Sequence, residues 1–139
     1  MVELGMLKFS AAQMNAMGES MFRERADQAL RARVPGWADE PRAEREAFLQ
    51  DCLERARAHR LTSEQGIISY ALGAWWLGSG FEHASALLLQ MLAAPLPELR
   101  RCQGMNDWVA DQLHRDATPD SGDDAIRRSF ALTEPWGRT

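Results

Sequence analysis

Between Gly66 and Pro97 the only ionisable side chains are Tyr70, Glu82 and His83. A stretch with so little charge has three physical outlets: a protein interior, a membrane, or the surface of a partner. Gly78, Ser79 and Gly80 divide it into two apolar halves, each about 14 to 16 residues, short of the ~20 that span hydrocarbon. The flanks carry no strong Lys/Arg asymmetry that would orient a membrane hairpin. A buried helical hairpin with no membrane role is therefore expected, its apolar area large enough to leave a part exposed for a partner.

The first arm of that hairpin opens with Thr62 and Gln65 at the spacing of a capping box. It runs from Ser63 to about Leu77, with Ile67, Ile68, Tyr70, Ala71, Leu72, Trp75, Trp76 and Leu77 apolar nearly all round. The second arm carries Ala84, Ala86, Leu87, Leu88, Leu89, Met91 and Leu92 until Pro95. Elsewhere the spacing is that of one-sided helices. Ser10 and Gln13 predict a capped start, with Phe9 and Met14 as a hydrophobic staple, for a helix that Pro35 and Gly36 stop. A second helix begins near Asp39, with Pro41 in its first turn, and reaches about His59. On its wet side Arg42 with Glu46, and Asp51 with Arg55, stand at i,i+4. Pro97 opens a fifth helix through Leu113, within which Gly104 predicts a kink or split. A short helix from Asp123 to about Ala131 closes the series. Strand patterning is nearly absent. The fold class expected is all-α: a compact bundle of five or six helices around an apolar central helical hairpin, with residues 1–139 as one domain, 116–122 as a loop and 132–139 as a tail.

Chemistry is harder to find. A chain of 139 residues with 45% hydrophobic residues can build a core without disulfides, and its net charge of −4 argues against nucleic acid as a partner. Lys8 is the single lysine, and the Arg side chains of the first helix are interleaved with Glu19, Glu24 and Asp27, a poor surface for phosphates. Cys52 and Cys102 have no CxxC spacing and read as buried apolar residues of a reducing compartment. The first residues lack a basic region followed by an apolar core, so a cytoplasmic location is expected. Cys52 and His59 share a helix face but sit two turns, about 10 Å, apart, and His83, Cys102 and His114 would have to converge from separate helices, so no metal is expected. GxSxG, GxxxxGK[ST] and GxGxxG are all missing, so no catalytic residue and no cofactor are assigned. An enzyme would need a pocket around Glu82, His83 or Asp107.

The unusual side chains are the five tryptophans: Trp37, Trp75, Trp76, Trp108 and Trp136. Trp75 and Trp76 point about 100° apart on a helix, so one of them faces away from any single narrow core direction. Tryptophan dominates interface hot spots through its area and its N–H donor. Trp37, Trp75, Trp76, Phe81, Trp108 and Trp136 are therefore the candidate protein-interface residues. Asp116, Asp120, Asp123 and Asp124 form an acidic stretch that could face a basic partner.

One segment carries a family likeness. ERARAHRLTSEQGIISYALGAWWLGSGF, Glu54 to Phe81, follows FRERADQALRARVP, Phe22 to Pro35. Its Ala56, Arg57, Leu61, Thr62, Ser63, Glu64, Tyr70, Gly78 and Phe81 match a pattern in small helical accessory proteins encoded in bacterial type VI secretion effector and spike loci, which this chain resembles. The resemblance implies a non-enzymatic chaperone, co-chaperone or adaptor that holds an effector or spike-tip protein from a neighbouring gene. The alternatives are an immunity protein neutralising a toxin through the acidic stretch, or a homodimer that buries the Trp and Leu surface on itself.

Overall fold

In a computed structural model of the chain, the structure describes residues 3–4, 7–8 and 11–130, with side chains from Gly18 onward. The fold is all-α. Six α-helices are described: α1 (Ala11–Arg33), α2 (Arg42–Ala58), α3 (Glu64–Leu77), α4 (Ala86–Ala93), α5 (Glu98–Gln112) and α6 (Ser121–Phe130). Short 3-10 turns lie at Trp37–Asp39 and Phe81–Ala84, and a two-residue antiparallel ladder, Glu3–Leu4 with Leu7–Lys8, precedes α1. The expected loop at 116–122 is shorter than the spacing suggested, because α6 already begins at Ser121. The expected tail at 132–139 lies outside the described residues, as do the Ser10 cap and the staple of Phe9 with Met14.

The chain divides into two compact units, Met1–Gln50 and Asp51–Thr139, with the boundary inside α2. In the first unit Phe22, Ala26, Leu30 and Val34 recur every four residues and are buried, as are Trp37 and Leu49. Gly36, at φ +86°, turns the chain after α1 so that Trp37 folds back, its indole N–H donating to Asp27 Oδ1 at 2.9 Å. Arg31 holds the other carboxylate oxygen of Asp27 at 2.8 Å, and Trp37 packs edge-on against Phe48. A cleft of about 540 Å³ lined by α1 and α2 carries Arg23, Arg31, Arg42 and Arg45 among Glu24, Asp27 and Glu46. Arg31 pairs with Asp27 and Arg42 with Glu46, so this cleft presents mixed, internally paired charge.

In the second unit α5 is the shared element: α3, α4 and α6 all pack on it. The apolar halves of the expected hairpin are consecutive helices joined through the Phe81–Ala84 turn, and each lies against α5. Gly104 does not split α5, which is one helix from Glu98 to Gln112. It sits where a Cβ would come within 3.0 Å of Met91 and Phe130, so the glycine serves close packing of α4 and α6 on one continuous helix.

The cap of α3 differs instructively from the sequence expectation. Ser63, one residue later than Thr62, is the N-cap, its Oγ accepting from Gly66 N at 3.0 Å. The carboxylate that completes the cap comes from the first turn of α5: Glu98 accepts from Thr62 N at 2.6 Å and from Ser63 N at 3.1 Å. With Asn106 against Ser69 and Val109 against Gly73, these contacts make α3 and α5 run parallel, N-termini together. Burial works against the charge on Glu98, but its hydrogen bonds from Ser63 and Thr62 outweigh this and hold the carboxyl below the usual glutamate range. A depressed folded pKa gives stability that is present above the unfolded glutamate value and is lost as pH falls through the folded one. Chemical denaturation from about pH 6 down to about pH 3 is therefore expected to show a falling midpoint, with a shallower fall in Glu98→Gln.

Candidate functional site

Three segments of the second unit converge on Glu82. The C-terminal end of α2 delivers His59, the middle of α3 delivers Tyr70, and the 3-10 turn supplies Glu82 itself with His83 beside it. The end of α2 is fixed by a Schellman motif in which Leu61 N reaches Ala56 O and Arg60 N reaches Arg57 O, both at 2.9 Å, with Arg60 in the left-handed region at φ +59°. Leu61 is fully buried there, which anchors the turn and leaves His59 at a set height. Behind it, the guanidinium of Arg101, only 4% exposed, donates to His59 O at 2.8 Å, Arg60 O at 3.1 Å, Leu96 O at 3.1 Å and Leu92 O at 3.3 Å. One arginine of α5 thus satisfies orphan carbonyls after two helices, α2 and α4, where a cation is also favoured by the helix dipoles.

Glu82 is 1% exposed. Tyr70 Oη donates to its Oε1 at 2.8 Å, His59 Nε2 lies 2.7 Å from its Oε2, and His83 Nε2 lies 4.0 Å from the same oxygen. Burial penalises the carboxylate, but the hydrogen bonds from His59 and Tyr70 prevail and hold Glu82 below the usual range, ionised at neutral pH. Burial, reinforced by the bond to Glu82, pushes the Tyr70 phenol upward, so it stays a donor. Gly80 N in turn donates to Tyr70 Oη at 3.2 Å. Burial pushes the Cys52 thiol up to about 12, which disfavours the reactive thiolate at neutral pH. Among the described residues, His59, Glu82 and His83 form the one group whose ligand atoms, all within 4.8 Å of one another, could hold a metal ion.

Neither metal combination weighed from the sequence, Cys52 with His59 or His83 with Cys102 and His114, is the cluster found here. Cys52 and His59 are both placed by α2, but Cys52 is buried and His59 turns toward Glu82. The sequence signal for the cluster was Glu82 itself, the lone carboxylate of the apolar stretch, adjacent to His83 and near Tyr70. What linear spacing withheld is the loop between α2 and α3 that returns His59 to it.

The candidate interface residues separate into three groups. Trp37, Phe81 and Trp108 are buried within this chain, which corrects their expected place on an accessible face. Phe81 stacks between Tyr70 and Trp108, at ring separations of 5.1 and 6.1 Å. Trp75 is half-buried, and Trp76 is 51% exposed. Trp136 lies outside the described residues. Because α3 and α5 run parallel, Trp76 and Leu113, the latter 44% exposed, both fall at the C-terminal end of that pair. Of the acidic stretch, Asp123 is spent internally, accepting from Trp108 Nε1 at 2.9 Å and Ser85 Oγ at 2.5 Å, and Asp124 pairs with Arg127 at 2.9 Å. No helix among the described residues is long and apolar enough to cross a membrane. Comparison with family models, with curated proteins and with solved structures finds no match for this chain.

Proposed function

We propose that this chain is a non-enzymatic protein-binding accessory that engages another protein through the C-terminal end of the α3 and α5 pair. The observation that carries the reading is Trp76, left 51% exposed in a helix that is otherwise the most apolar of the second unit's long helices. Single exposed leucines are ordinary on protein surfaces, but a tryptophan left in water forgoes the burial that it has at Trp37 and Trp108. Leu113, at the same end of the pair and 44% exposed, offers a second apolar side chain there. The likeness to type VI accessory proteins makes an effector or spike-tip protein encoded nearby the first partner to test. A chaperone or adaptor fits better than an immunity role, since Asp123, within the acidic stretch, already serves this chain's own packing.

Co-expression with the neighbouring effector or spike-tip protein is expected to give a stable complex on size exclusion. Trp76→Ala is expected to weaken it by about thirtyfold, the effect of a hot-spot tryptophan, while changing the unfolding free energy of the free protein by less than about 0.5 kcal/mol. Equal affinity of the parent and Trp76→Ala would count against this surface. Rescue of a victim strain from the toxin by this chain alone would move the assignment to immunity.

A further inference from the structure

The structure assigns a divalent transition-metal site, with zinc the favoured ion, to His59, Glu82 and His83. The two imidazole Nε2 atoms approach the same carboxylate oxygen, Glu82 Oε2, from the end of α2 and from the 3-10 turn, at 2.7 and 4.0 Å. Zinc bonded to nitrogen and oxygen at about 2.0 to 2.2 Å in a tetrahedron sets its ligands about 3.4 Å apart. The observed separations bracket that distance, and no pair of the three ligand atoms exceeds 4.8 Å. Small movements of His83, whose side chain is 64% exposed, suffice to close the set.

Two further features fit a metal better than a plain buried ion pair. Tyr70 Oη takes Glu82 Oε1, so the carboxylate is oriented with only Oε2 turned to the histidines, as an outer-shell hydrogen bond orients a monodentate ligand. The nearby cationic side chain of Arg55, whose charge is felt at Glu82, is itself held by Asp51 at 2.9 Å, which lessens its repulsion of an incoming cation. His59 becomes a ligand by carrying its proton on Nδ1 in place of Nε2, so the ion replaces the hydrogen bond to Glu82 without leaving that carboxylate unpaired. Two imidazoles and one carboxylate leave a coordination position open on the His83 side, toward solvent. The bound ion would cross-link the end of α2 to the turn between α3 and α4.

The test is isothermal titration of zinc chloride into the chelator-stripped full chain near neutral pH, with thermal unfolding in parallel. One ion per chain is expected, with a dissociation constant at or below about 1 µM. Zinc at a hundred times that constant is expected to raise the unfolding midpoint by about 5 to 10 °C. His83→Ala changes an exposed side chain and should fold normally, yet it is expected to lose at least about tenfold in affinity and most of the thermal shift. His114→Ala, exposed and remote in sequence, should leave both unchanged. Absence of saturable binding, or binding that His83→Ala leaves intact, overturns the assignment.

Discussion

Arg101→Ala is expected to destabilise the protein by about 3 to 5 kcal/mol, read as a lower urea midpoint at unchanged m-value. The guanidinium is buried and donates to the carbonyls of His59, Arg60, Leu92 and Leu96. Burial, with the Arg60 charge second, lowers its pKa, so its charge is carried at a cost that the four acceptors offset. Truncation removes the donor and strands acceptors at the ends of two helices, and a stranded buried acceptor costs more than an average hydrogen bond contributes. Arg101→Lys should recover only part of the loss, because a single ammonium cannot reproduce a planar fork that serves four oxygens. If the lysine variant matches the parent, the arginine is acting only as a point charge near two helix ends.

The second large effect is expected at Trp108. Its indole is buried, stacks on Phe81, and donates to Asp123 Oδ1, the same oxygen that Ser85 Oγ reaches while capping α4. The backbone of α6 passes so close that a Cβ at Gly122 would stand 2.6 Å from the ring. Trp108→Ala opens a large cavity and leaves Asp123 without one of its donors, for an expected loss of about 3 to 5 kcal/mol. Trp108→Phe should lose less, keeping ring area while forfeiting the bond to Asp123. Both losses should appear in the free protein. A stability unchanged by Trp108→Ala would mean that this tryptophan does not hold α5 and α6 together. The contrast with Trp76 is therefore sharp: Trp108 is buried in the fold, and Trp76 is half exposed.

Helical periodicity and punctuation made the fold class legible. Pro35 with Gly36, Gly78 with Gly80, and Pro95 with Pro97 mark helix ends that backbone chemistry alone requires. The exposed i,i+4 pairs of α2, Arg42 with Glu46 and Asp51 with Arg55, were equally readable, since both partners lie on one helix. Legibility failed wherever the partner comes from another segment. Gln65 has the spacing to finish the α3 cap, yet Glu98 does so from α5; the motif specifies an acceptor and cannot say which chain segment provides it. Arg101 reads as one more arginine in an arginine-rich chain, and Asp123 as one more acid in a polar loop, until tertiary packing buries the first and bonds the second. Gly104 reads as a helix breaker because its lack of a side chain is visible in sequence, while the Met91 and Phe130 atoms that require it are not. The His59, Glu82 and His83 cluster was missed for the same reason, its first residue lying 23 positions before Glu82.

The likeness that suggested an accessory protein rests on Ala56, Arg57, Leu61, Thr62, Ser63, Glu64, Tyr70, Gly78 and Phe81, and the structure gives several of these local work. Ala56 and Leu61 close the Schellman motif, Ser63 caps α3, Tyr70 orients Glu82, and Phe81 stacks between Tyr70 and Trp108. These are demands of folding, so the pattern speaks to architecture, and the proposed recognition surface draws on exposed side chains outside it, Trp76 and Leu113.

Amide hydrogen exchange of the free protein, and of the protein mixed with the proposed partner, an effector or spike-tip protein encoded nearby, examines that surface directly. Binding at the C-terminal end of the α3 and α5 pair predicts added protection in peptides covering residues 74–77 and 110–114, with little change at residues 20–33 of α1. Protection confined to α1 or to the acidic stretch at 116–124, with none around Trp76 and Leu113, would contradict the account.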